Sequence, residues 1–216
     1  MLRKKSLEEI QNLIRRYPVL REMQGELVAA TQTLAECFSK GGKVLVCGNG
    51  GSAADSVHIV GELMKGFVLR RRLRPELQAV LTEQWPETAR YYIENLQETL
   101  SAISLVNEIG LMTAYSNDKV SDLVFAQQVL GYGRKGDVLL GISTSGNSSN
   151  VVHAEKIARS LEMKVISLTG KGGGALSGLS DVLLAVPSTI TYQIQEYHLP
   201  IYHAICLALE KEFFNE

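Results

Sequence analysis

Lys43-Val-Leu-Val-Cys-Gly-Asn-Gly-Gly-Ser52 joins a short apolar run to a Gly-rich turn. A short apolar run that breaks into a Gly-rich turn reads as a buried strand ending in a loop. Residues 53–64 then follow with helical spacing. The same pattern recurs at Asp137-Val-Leu-Leu-Gly-Ile142, which runs into Ser143-Thr-Ser-Gly-Asn-Ser148 and a helix reaching about Leu161. Lys164-Val-Ile-Ser-Leu168 is a third strand and Asp181-Val-Leu-Leu-Ala-Val186 a fourth, with residues 101–106 as a fifth. Strands that alternate with helices, and that are apolar on both faces, predict an α/β fold with an open parallel sheet covered on both sides.

Toward the N-terminus, Leu20, Met23, Leu27, Ala30, Leu34 and Cys37 recur at spacings of three and four. That is one apolar helical stripe, closed by Gly41-Gly42. Ser6-Leu-Glu-Glu9 reads as a capping box opening an earlier helix that Pro18 ends. Residues 1–42 are thus expected to be N-terminal helices. In the helix after the first loop, Val57, Val60, Met64 and Phe67 read as the apolar stripe, while Asp55, His58 and Glu62 share another face. Arg70-Arg-Arg-Leu-Arg74 reads as a solvated turn. It leads into residues 75–100, punctuated by Pro75 and Pro86 and helical over residues 87–100, a helical insertion. No internal repeat appears, and residues 1–216 read as one domain.

Composition narrows the function classes. Hydrophobic residues make up 45% and charged residues 21%, ordinary globular values that exclude disorder. Lys and Arg number 22 against 23 Asp and Glu, so no global field draws the chain to nucleic acid or to a membrane. Cys37, Cys47 and Cys206 show no CxxC spacing, which suggests a reducing compartment and no disulfide framework. Neither a signal peptide nor a membrane-spanning stretch is visible.

The two loops carry the first chemical signal. Gly lets a backbone approach a ligand closely, and a helix N-terminus presents unpaired N–H groups to an anion. With the hydroxyls of Ser143, Thr144, Ser145 and Ser148, the pair reads as a phosphate cradle beyond the carboxyl ends of the strands. Neither loop has P-loop or GxGxxG spacing. The second signal is His58 and Glu62 at i, i+4, a spacing that lets both ligate one metal ion or form a solvated ion-pair face. The third is the last helix, Gln193-Ile-Gln-Glu-Tyr-His-Leu-Pro-Ile-Tyr-His203, whose histidines gain interest if it meets the His58 helix.

Taken together, Val46-Cys-Gly-Asn-Gly-Gly-Ser-Ala-Ala-Asp55, then His58 and Glu62, then Gly141-Ile-Ser-Thr-Ser-Gly-Asn-Ser148, then Ile194-Gln-Glu-Tyr-His198 and His203, resemble the sugar isomerase (SIS) domain family in the form carried by phosphoheptose isomerases. The resemblance covers nearly all of the chain outside residues 75–100. It implies a five-stranded parallel sheet in a three-layer α/β/α sandwich, assembled as a homotetramer. It implies a cytoplasmic enzyme that converts sedoheptulose 7-phosphate to a manno-heptose 7-phosphate, the first step toward activated heptose. It also implies one divalent metal, usually zinc, with ligands at His58, Glu62, Gln195 and His203. Glu62 and His203 become the base and acid. Asn49, Gly50, Gly51, Ser52, Asp55, Asn117, Asp118, Ser143, Thr144, Ser145, Ser148 and Gln195 become substrate contacts.

The chain departs from the family pattern at Glu108, at Tyr192-Gln193, at Pro200, and in the residue 75–100 excursion that replaces a short link. Gln195 and His203 are also separated by roughly 12 Å of rise if both lie in regular helix. Gln195 preceding the helix, a distortion at Pro200, or a second subunit would reconcile the ligand set, and a site near a subunit interface is the expectation. Two rivals remain. Non-catalytic SIS relatives that associate with the replication initiator share the loops but typically lack the counterparts of Glu62 and His203. Phosphosugar-sensing regulators carry a DNA-binding segment, and none is visible here.

Overall fold

The computed structural model describes residues 2–214; residues 1, 215 and 216 of the expected domain lie outside it. In chain order the helices and strands are α1 (Lys4–Arg16), α2 (Gln24–Ser39), β1 (Val44–Gly48), α3 (Gly51–Met64), α4 (Pro75–Gln84), α5 (Ala89–Asn95), β2 (Ala102–Ser104), α6 (Ile109–Asp118), α7 (Val124–Tyr132), β3 (Val138–Ser143), α8 (Ser149–Ser160), β4 (Lys164–Thr169), β5 (Val182–Ala185) and α9 (Thr191–Phe213). The strands form one five-stranded sheet in the order β2-β1-β3-β4-β5. All four pairings are parallel, with Val44 opposite both Ala102 and Val138. The α/β class and the five-stranded parallel sheet are as the sequence reading expects.

Alternation along the strands divides the core in two. Val44, Val46, Val138, Leu140, Ile142, Ile166 and Leu168 point to the face covered by α1, α2, α3 and α9. Leu45, Cys47, Leu139 and Val165 point to the other face, under α7 and α8. All three cysteines are free and buried. No helix among the described residues is long and apolar enough to cross a membrane.

Several local expectations are corrected. The capping box is not one: α1 starts at Lys4, and the Ser6 hydroxyl, fully buried, donates instead to Glu212 Oε2 at 2.6 Å. A long-range carboxylate outcompetes the local cap. Leu20 and Met23 do continue the buried stripe, but on a 3₁₀ turn (Pro18–Met23), because Pro18 starts a new helical turn after α1 ends. The insertion holds two helices, and its second spans only Ala89–Asn95. Apart from Ala89 these two helices bury nothing, so they stand outside the core. In α3 the buried residues are Ser52, Ser56, Ile59 and Leu63, whereas Val57 and Met64 are exposed. The core face of α3 therefore lies one position from the expected stripe.

The Arg70–Arg74 run departs furthest from its solvated reading. Arg71 is 1% exposed and Glu210, which faces it from α9, is fully buried. Only Arg70, Arg72 and Arg74 behave as a solvated turn.

Candidate active site

The strand order reverses between β1 and β3: from β1 the chain passes to β2 on one side and returns as β3 on the other. At such a switch point the connecting loops diverge and leave a crevice beyond the carboxyl ends of the strands. Residues 49–51 enter α3 there and residues 144–148 enter α8, so two helix N-termini open toward one crevice. The two loops are joined directly. Asn49 and Asn150 exchange amide hydrogen bonds in both directions, each 2.9 Å long. Asn150 had no signal in the sequence, since an Asn in the first turn of a helix reads as a cap.

Glycine is required at two points of this cradle. Gly50 takes φ +56° as it caps α3, a region L residues rarely adopt. Gly146 takes φ +65°, and a Cβ there would lie 1.9 Å from the Gly173 carbonyl oxygen. A third loop, which follows β4, thus packs on the second, and Asn147 braces the contact by accepting a hydrogen bond from the Ala175 N–H at 2.9 Å.

The hydroxyls differ in availability. Ser145 is exposed and Thr144 and Ser148 are half-buried, while Ser52 and Ser143 are each 3% exposed. Ser143 and Ser148 share a hydrogen bond of 2.9 Å, and Ser145 Oγ accepts from the Asn147 N–H at 3.1 Å. Asn49, Gly50 and Gly51 are exposed at the mouth. Asn117 and Asp118 lie in the last turn of α6, are exposed, and bond each other at 2.9 Å. Among the residues that depart from the family pattern, Glu108 caps α6, Gln193 accepts from the Ser188 hydroxyl at 3.0 Å, and Pro200 lies buried within α9.

The second centre is where α3 meets α9. His58 Nε2 lies 3.3 Å from Glu62 Oε1 and 3.4 Å from His203 Nε2. The i, i+4 spacing aims His58 and Glu62 outward together, and α9 brings His203 up to them. Tyr202, to which the sequence assigns no role, organises the group. Its hydroxyl donates to Asp55 Oδ1 at 3.2 Å and lies 3.0 Å from His58 Nδ1. A phenol has a single proton, so with that proton given to Asp55 the His58 Nδ1–H must donate to the phenol oxygen. That assigns the tautomer: His58 Nε2 carries a lone pair and faces Glu62 and His203.

Electrostatics agree with this chain of bonds. Burial, and secondly the Asp55 carboxylate, push the Tyr202 phenol well up, so it remains a donor. Burial raises Asp55 above the usual carboxylate range, opposed by the Tyr202 hydrogen bond and by His58. Burial, then His58, hold His203 below the ordinary histidine range, so its ring is neutral at pH 7. Lys65 reaches the other Glu62 oxygen, Oε2, at 3.2 Å. His198, by contrast, is a core residue. It is fully buried, its Nε2 lies 3.3 Å from the Thr169 carbonyl, and burial lowers it to about 4.

Three lone-pair atoms, from two imidazoles and a carboxylate, are the donor chemistry that zinc takes. The separations through His58 Nε2 match two donors on one tetrahedral ion with bonds of about 2.0–2.2 Å. The contacts are pairwise, and among the described residues no group of three or more His, Cys, Asp or Glu side chains is placed so that it could hold a metal ion. Gln195 is set apart from this group. It lies within α9, not ahead of it, and its amide nitrogen is 2.6 Å from where a Cβ on Gly51 would be. Gly51 and His58 are two turns of α3 apart, roughly 10 Å. A single chain therefore assembles His58, Glu62 and His203, and holds Gln195 at the cradle.

Comparison with known proteins follows the same lines. The family profile described as SIS domain matches residues 7–105 and 97–170. A phosphoheptose isomerase from Helicobacter pylori is 42% identical over 197 residues, covering 91% of this chain and 89% of the relative. Among solved structures, phosphoheptose isomerase from Neisseria gonorrhoeae aligns with a TM-score of 0.73 at 35% identity, over 93% of this chain and 94% of that one. A phosphoheptose isomerase from Francisella tularensis aligns with a TM-score of 0.72 at 32% identity, with the same coverage.

Proposed function

The chain belongs to the SIS domain family, and from that premise we propose that it is an isomerase that interconverts sedoheptulose 7-phosphate and D-glycero-D-manno-heptose 7-phosphate. The observation that carries this reading is the meeting of His58, Glu62 and His203 at the junction of α3 and α9, in a chain that also builds a two-loop anion cradle at the switch point of its sheet. Similarity to phosphoheptose isomerases over nine-tenths of the chain supports the heptose phosphate.

In the proposed mechanism the exposed N–H groups and the hydroxyls of Thr144, Ser145 and Ser148 hold the phosphate, which positions the reacting carbons. Glu62 takes a proton from the carbon beside the carbonyl and returns it to the former carbonyl carbon, by way of an enediol. His203, neutral and beside Glu62, moves a proton between the two oxygens so that one becomes hydroxyl as the other becomes carbonyl. Asp55 and Tyr202 keep His58 in its tautomer throughout. A zinc ion held by His58, Glu62 and His203 would supply polarisation of the substrate carbonyl. Gln195 would join that shell only from a second copy of the chain, which is the form in which we propose an interface site and a homotetramer. A cytoplasmic location fits the free, buried cysteines. The non-catalytic SIS reading is weaker because Glu62 and His203 are both present and in contact range of one imidazole.

Replacing Glu62 by Gln tests the assignment. The variant is expected to keep its fold, judged by circular dichroism and thermal unfolding, and to lose turnover by about a thousandfold or more. Substantial residual turnover would remove Glu62 as the base.

A further inference from the structure

Arg71 is a fully buried cation that the reaction as described does not use. Its Nε donates to Glu210 Oε1 at 2.8 Å, its Nη1 to the Leu63 carbonyl at 2.6 Å and its Nη2 to the Glu62 carbonyl at 2.9 Å. Glu210 in turn accepts the N–H groups of Phe67, Val68 and Leu69 at 2.7, 2.9 and 3.1 Å. The last carbonyls of any helix lack intrahelical partners, and here α3 ends at Met64. The guanidinium therefore closes the end of α3 on the backbone of Glu62 itself, and ties that end to α9, the helix that carries His203.

A buried ion pair is seldom retained for stability, because desolvating both charges offsets most of their attraction. A planar fork with three separate acceptors gives something else: a fixed distance and orientation between two helices. We propose that the Arg71/Glu210 pair is a positioning device for catalysis, holding the Glu62 backbone in register with α9 so that the Glu62 carboxylate stays aligned with His203. This rests on the reading of Glu62 as the proton-carrying group. Arg71 and Glu210 touch no substrate and act through Glu62.

The test is Arg71→Lys in the intact chain. Lysine keeps the charge opposite Glu210 but has no fork to span the two carbonyls. Thermal unfolding, KM and kcat for sedoheptulose 7-phosphate are measured together, at a temperature where the variant is fully folded. The expected result is a fall in kcat of about tenfold or more with KM within about twofold. An unchanged kcat in the folded variant would make the pair a strut alone and overturn the proposal. If Arg71→Lys does not fold, Glu210→Gln is read in the same assay, since its one oxygen can still accept from the Val68 and Leu69 amides while an NH2 replaces the oxygen that accepts from Arg71 and Phe67. A kcat within twofold of wild type there also overturns it. Glu62→Gln, run alongside, separates the two readings. Turnover in that variant defeats the assignment of Glu62, whereas a dead Glu62→Gln with a fully active Arg71→Lys defeats only the positioning role.

Discussion

Tyr202 decides which nitrogen of His58 faces the site, and it does so through one proton shared out along Asp55, Tyr202 and His58. Nothing in the sequence marks it. A tyrosine in an apolar run at helical spacing reads as core, and its partners lie 147 and 144 residues away. Asp55, His58 and Glu62 were legible because their mutual spacing is local to one helix. Arg71 and Glu210 were not, because an arginine run reads as solvated and its buried partner is 139 residues distant. Glu155 on α8 is another buried charge with a measurable signature. It is fully buried, its Oε1 accepts from the Ser167 hydroxyl at 2.6 Å, and its Oε2 has no partner. Burial raises it to about 7, with the Ser167 hydrogen bond opposing. A carboxyl raised in the folded state holds its proton there between pH 4.5 and about 7, so stability falls as pH rises through that window. Glu155→Gln removes the ionisation. Its melting temperature relative to wild type is expected to improve by several degrees between pH 5 and pH 8, and a difference that does not change with pH would contradict the burial argument.

The strands and the helices that follow them were readable because apolar runs and glycine breaks are local features of a parallel sheet. The contacts between loops were not, since they depend on how elements stack. Gly146 shows the point. In the sequence it is one glycine in a polar turn; in the fold its missing Cβ is what lets the third loop lie against the second. Alanine there meets both an unfavourable φ and the Gly173 carbonyl, a combined cost of about 1–3 kcal/mol. Gly146→Ala is therefore expected to move the phosphate loop. KM for a phosphosugar should rise about tenfold, with a smaller change in kcat, and the melting temperature should fall by a few degrees. An unchanged KM would mean that residues 144–148 do not hold the phosphate. The misplaced stripe of α3 has a related cause. Val57 and Met64 are apolar but exposed, so hydrophobicity alone pointed to the wrong face.

At the scale of the molecule, the reversal of strand order between β1 and β3 places the two loops side by side, and the run of α9 beside α3 places His203 by Glu62. The alternating pattern implies a parallel sheet with its loops along one edge, but not the strand order that sets these two loops side by side. The second placement depends on a helix that starts after the last strand and returns across the sheet, for which the sequence offered only a cluster of histidines. The proposed reaction of this arrangement is isomerisation of a heptose phosphate, in which a metal held by His58, Glu62 and His203 would polarise the carbonyl. The most direct measurement is turnover of sedoheptulose 7-phosphate by the protein as purified, after chelation, and after zinc is restored. Turnover is expected to be lost on chelation and recovered with zinc. A folded protein that binds the phosphosugar yet shows no turnover even with zinc would contradict it.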